Sequence, residues 1–165
     1  DTVEDGNGID NWGGQWNEYH PAGTGVMNTQ AAGYPFSAYG NKFSVDYTGT
    51  NVGNINTLSV FFGAGATPSV NLGAYNTFKW YQRGNGTTTS YTIAYARASG
   101  ENWTYTYILP ADMLWHYVEV PLVQSAWTYN WGGTANSWGI NNGQRFYFYT
   151  ADAGAFSLAV DDLEF

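Results

Sequence analysis

Period-two alternation of apolar and polar residues runs through this chain, and no stretch sustains a helical period. Phe43, Val45 and Tyr47 alternate with Ser44, Asp46 and Thr48 across Lys42–Thr48. Thr57–Phe62 reads as a second strand. Phe78 and Trp80 alternate with Lys79, Tyr81 and Arg83, and Asn85-Gly86 then turns the chain into Thr88–Arg97. Trp103, Tyr105 and Tyr107 share one face of Trp103–Leu109. Trp115–Leu122, Arg145–Thr150 and Ala155–Phe165 complete the set. Trp127–Gly143 reads as a loop rich in aromatics, glycine and asparagine. Strands about every 10–15 residues with turns between them predict an all-β sandwich of two antiparallel sheets, a jelly roll. The 165 residues show no linker or repeat, so residues 1–165 are expected to form one domain.

Composition narrows the function. With no cysteine, the chain has no disulfides, thiolate metal sites or cysteine nucleophiles. Five basic residues against thirteen acidic ones leave a net charge of −8, which repels nucleic acid and other polyanions. No run is long and apolar enough for a membrane span. An uncharged partner is expected, for a mature or excised secreted protein.

Catalytic signals are weak. His20 and His116 are the two histidines, and no Gly-x-Ser-x-Gly motif occurs. Glycoside hydrolysis needs two carboxylates flanking the bond. Glu18, Asp46, Glu101 and Glu119 could each reach a sheet face. A small jelly-roll glycoside hydrolase or polysaccharide lyase therefore stands as an alternative, as does a cell-surface adhesion domain.

Aromatics make up 19% of the chain, more than a core this size needs. Asn11–Tyr19 and Ala126–Gly133 mix Trp and Tyr with Gly and Asn, which core segments avoid. Sugar rings pack their C–H faces on aromatic rings, while amides and arginines bond the hydroxyls. A neutral carbohydrate explains the aromatics, the amides and the low charge together. At the chain ends, Val3–Gly6 and Val160–Leu163 carry carboxylates that could meet around one Ca²⁺, an ion that takes several oxygen ligands.

Val3-Glu-Asp-Gly6, Asn11-Trp-Gly13, Asp46-Tyr-Thr-Gly-Thr50 and Ala159-Val-Asp-Asp-Leu163 resemble the family 11 carbohydrate-binding modules of bacterial polysaccharide hydrolases. The resemblance implies a jelly roll with a concave groove for single β-glucan chains, and a structural calcium joining the first and last strands. Carried over by position, Glu4 and Asp161 match the calcium carboxylates, and a backbone carbonyl near Gly40–Lys42 completes the set. Tyr129 and Tyr149 match binding tyrosines. Asn54 stands where the family has an aromatic, and Ala126 and Thr128 replace its charged partners beside Tyr129.

The expected function is non-catalytic binding of a neutral polysaccharide, β-glucan first, on behalf of a larger multimodular enzyme. Trp16, Tyr19, Trp127, Tyr129, Trp131, Tyr147 and Tyr149 are expected to supply stacking. Tyr81, Arg83, Arg97 and Arg145, on outward strand faces, are expected to add stacking and donors. Glu4, Lys42 and Asp161 are the expected calcium set.

Overall fold

The computed structural model describes residues 14–31, 33–36, 44–52, 56–62, 69–133, 138–150 and 152–165. The strands are β1 (Trp16–Tyr19), β2 (Gly23–Ala31), β3 (Ser44–Asn51), β4 (Thr57–Phe61), β5 (Thr77–Arg83) and β6 (Ser90–Arg97). They continue with β7 (Asn102–Ile108), β8 (His116–Pro121), β9 (Thr128–Trp131), β10 (Gly143–Tyr149) and β11 (Gly154–Glu164). One 3₁₀ turn, Gln124–Ala126, precedes β9. The strands form a six-stranded sheet, β1-β4-β10-β6-β7-β9, and a five-stranded sheet, β2-β3-β11-β5-β8. Every strand pairing among them is antiparallel. The all-β, two-sheet jelly roll expected from the alternation is the fold observed.

Alternation decides what each strand buries. Phe146 and Phe148 of β10 are fully buried, as are Phe78 and Trp80 of β5 in the facing sheet. Phe78 stacks on Phe146 at 4.2 Å, and Trp80 meets Phe148 edge-on at 5.4 Å. Burying each such ring stabilises the fold by about 1.5–3 kcal/mol. Gln82 is also fully buried, and its Oε1 accepts from Trp80 Nε1 and the Tyr107 hydroxyl. Those bonds satisfy the amide oxygen, whereas the buried Nε2 has no partner among the described residues.

Three elements depart from the sequence expectation. β1 and β2 carry weak alternation and are recognised only by their pairing with β4 and β3. β9 lies inside the stretch read as a loop. Its four residues are too few to display a period, and its partner β7 is distant in sequence, with Trp103 opposite Tyr129.

Candidate carbohydrate-binding groove

The free face of the six-stranded sheet holds a trough. Tyr91, Ile93 and Tyr95 of β6 belong to the core, so Thr92, Ala94 and Ala96 face the other way. The two alanines leave the middle of the sheet low. On one side β10 raises Arg145, Tyr147 and Tyr149, the positions that alternate with its core phenylalanines. Beyond them stand Phe61 of β4 and Tyr19 of β1. On the other side stand Asn102 of β7 and Asn130 and Trp131 of β9. The cavity between them measures about 650 Å³. Asn17, Glu18, Thr57 and Ser59 complete its lining.

Register places these side chains in rows across the sheet. Arg145 lies between Phe61 and Ala96, Ala96 lies beside Asn102, and Asn102 pairs with Trp131. The next row runs Asn17, Ser59, Tyr147, Ala94 and Thr104. The third sets Tyr19 and Thr57 beside Tyr149. Aromatics therefore rim both sides of the trough, with amides and hydroxyls between them. The Asn130 side-chain amide donates to Asn102 Oδ1 at 3.3 Å, which orients both groups. Burial holds the Tyr147 and Tyr149 phenols above their ordinary value, with Arg145 and Thr92 pulling back in the opposite direction. Both rings stay neutral at physiological pH.

Tyr19, Trp131, Arg145, Tyr147 and Tyr149 are the expected residues brought together here. Others lie elsewhere. Trp16 is buried and stacks on Phe148 at 6.4 Å, because Asn17 and Tyr19 take the outward positions of β1. Trp127 is buried against Tyr95, Trp138 and Phe146, its indole N–H donating to the Pro121 carbonyl at 2.7 Å. Tyr129 packs edge-on to Trp103 at 5.4 Å and gives its hydroxyl proton to the Gly132 carbonyl. These three rings build the core that supports the trough, in place of the stacking role expected from their neighbourhood.

Arg97 ends β6 in an ion pair with Glu101 at 3.4 Å, away from the trough lining. Tyr81 and Arg83 belong to the five-stranded sheet. Tyr81 stacks on Tyr34 at 3.8 Å, and Arg83 pairs with Asp46 at 3.3 Å and covers Trp115. Their outward orientation was legible, but they face outward on the wrong sheet. Sequence reading missed Phe61, Ala94, Asn17, Asn102 and Asn130. Phe61 and Ala94 carried a signal, since each alternates with core residues of its own strand. Asn102 and Asn130 needed the β7–β9 pairing.

Of the expected calcium set, Glu4 and Lys42 lie outside the described residues. Asp161 is fully buried on β11, where its Oδ2 accepts the Tyr34 backbone N–H at 2.7 Å and its Oδ1 that of Asp162 at 2.8 Å. Carboxylate oxygens are donors of the kind Ca²⁺ takes. Among the described residues, no three His, Asp or Glu side chains converge as a metal site.

Neither a family model nor a curated protein matches the sequence. Solved structures do match the fold. The family 11 carbohydrate-binding module of a cellulosomal cellulase of Clostridium thermocellum superposes with a TM-score of 0.63 at 14% identity, covering 99% of this chain and 91% of that one. A family 11 module of the same organism, in complex with a β-1,3-1,4-mixed-linked tetrasaccharide, gives 0.63 at 14% identity over 90% and 86%. A mutant family 29 carbohydrate-binding module gives 0.50 at 10% identity over 95% and 74%. At these identities the likeness is one of fold. The chain has the two-sheet fold of the family 11 carbohydrate-binding modules, which it resembles over nearly its whole length.

Proposed function

We propose that the trough on the six-stranded sheet binds a single chain of a neutral polysaccharide, with β-glucan the first ligand to test. The observation that carries this reading is the low Ala94 floor between aromatic rims, in a cavity of about 650 Å³. A sugar ring can seat its C–H face on Tyr147, Tyr149 or Trp131 while Asn102, Asn130 and Ser59 bond its hydroxyls. By analogy with base–aromatic stacking, each such contact contributes at most about 1–3 kcal/mol, so several are needed. The mixed-linked tetrasaccharide named for the family 11 complex supports the choice of β-glucan.

Binding without turnover is the proposed activity. Among the described residues lining the trough, Glu18 is the one carboxylate, whereas glycoside hydrolysis uses two. In this reading the domain is secreted, holds an attached hydrolase on its substrate, and is clamped by calcium at Asp161, Glu4 and a carbonyl near Lys42.

Affinity electrophoresis against soluble glucans, mannans and xylans tests the proposal. Retardation in a β-glucan gel, lost in Tyr149→Ala and Tyr147→Ala proteins of unchanged far-UV spectrum, is the expected result. Migration unaffected by every polysaccharide, or release of reducing ends, overturns it.

A further inference from the structure

Arg145 is an unusual cation for this molecule. The other described arginines are neutralised by carboxylates, Arg83 by Asp46 at 3.3 Å and Arg97 by Glu101 at 3.4 Å. Among the described residues Arg145 has no such partner within 4.0 Å, and it lines the trough. Its guanidinium carbon lies 4.7 Å from the centre of the Phe61 ring and 4.4 Å from that of Tyr147. Its Nε is shut off from water and donates to no described protein group.

Two rings at cation–π distance hold the planar fork and partly offset its desolvation. Neither ring accepts a conventional hydrogen bond, so the two terminal nitrogens of the fork keep their donors for a ligand. Neutral hydroxyls do not require this arrangement, because Asn17, Asn102 and Asn130 already supply uncharged donors to the same trough. A guanidinium is distinguished by its bidentate, charge-assisted match to a carboxylate. Glu18, the acidic residue of the lining, pairs with Leu58, whereas Arg145 pairs with Phe61. Three residues of strand and the width of β4 separate those positions, roughly 14 Å at about 3.3 Å per residue and about 4.8 Å per strand. Repulsion over that distance, and from the net charge of −8, is largely screened at physiological salt.

We infer that the trough contains a subsite for a uronic acid unit, whose carboxylate is taken by Arg145 while its ring lies over Ala96 toward Asn102 and Trp131. The polysaccharide is then one that is neutral along most of its length and carries occasional carboxylates. This inference rests on the trough being the carbohydrate site.

Calorimetry with two oligosaccharides of one backbone decides it: a neutral gluco-oligosaccharide, and the same chain with one primary alcohol oxidised to a carboxylate. The oxidised ligand is expected to bind roughly tenfold tighter at physiological salt, the scale of one charge-assisted hydrogen bond. Raising ionic strength from about 0.15 M to about 1 M shortens the screening length from about 8 Å to about 3 Å and should narrow the ratio. Arg145→Gln should bring the ratio to one or below, and Arg145→Lys, which keeps charge without the fork, should leave an intermediate value. Equal or weaker binding of the oxidised ligand to the wild-type protein overturns the inference, as does a ratio unchanged in Arg145→Gln. Failure of both ligands to bind the wild-type protein overturns the carbohydrate reading itself.

Discussion

Trp127 and Trp131 stand four residues apart in one aromatic stretch and have opposite fates. Trp127 is sealed in the core with its indole N–H satisfied, whereas Trp131 is 56% exposed on the trough rim. Trp127→Ala should therefore cost about 3–5 kcal/mol of stability, as for a large core aromatic. Trp131→Ala should leave the denaturation midpoint nearly unchanged and weaken glucan binding. Paired chemical denaturation and calorimetry check both, and the reverse pattern would refute the assignment. Asp46 offers a second test at this scale. Burial holds its carboxyl above the ordinary value, and Ser44 and Arg83 pull it down without cancelling the rise. A raised acid contributes stability that is present below its unfolded value and lost as pH rises through the folded one. The Tm difference between Asp46→Asn and wild type should thus become more positive from pH 3 to pH 7; a flat or falling difference contradicts it. Alternation within β10 made the fates of Phe146, Tyr147, Phe148 and Tyr149 legible in the sequence. Nothing local distinguished Trp127 from Trp131.

Elements explain why a groove exists. Two alanines facing out from β6 lie beside β10, which raises aromatic side chains, and across β7 from Trp131 of β9, so depth comes from contrast between strands. Ala94→Leu should fill the floor and abolish oligosaccharide binding while leaving the far-UV spectrum intact; retained affinity would show that the ligand lies elsewhere. β9 depends on the turn that follows it. Gly132 has a φ of 91°, and a Cβ there would fall 2.0 Å from the Gly100 carbonyl oxygen. Gly132→Ala must displace backbone, and with it the neighbouring Trp131. Both the Tm and the glucan affinity should fall together, and a variant with normal binding would contradict the coupling. β5, β7, β8 and β10 could be read from alternation because each has enough residues to show a period. β9 could not, because four residues beside glycine and asparagine look the same in a loop as on a sheet edge.

For the whole molecule, the interior is unusually rich in phenols. Tyr47 is pushed up to about 12, by burial first and the Glu18 charge second. Burial also raises Tyr91, Tyr95 and Tyr107. The unfolded value is about 10, so the contribution of Tyr47 to stability is complete below about pH 10 and is lost as pH rises through about 12. The denaturant midpoint should drop over that window, less steeply in Tyr47→Phe; a midpoint constant across it would refute the linkage. The proposed calcium clamp predicts that a chelator lowers the Tm and that added calcium restores it, and no change would remove the clamp. By itself the sequence determined the β class, the inward and outward faces of its longer strands, and the absence of the basic charge that polyanion binding needs. Those properties rest on side-chain period, turn chemistry and charge, all of which are local or additive. Only the tertiary structure decided which sheet each strand joins, and so why Tyr81 and Arg83 face away from the trough while Phe61, Asn102 and Trp131 line it. Strand neighbours such as β4 and β10, far apart in sequence, are selected by packing of the whole core, and the groove is made of those neighbours.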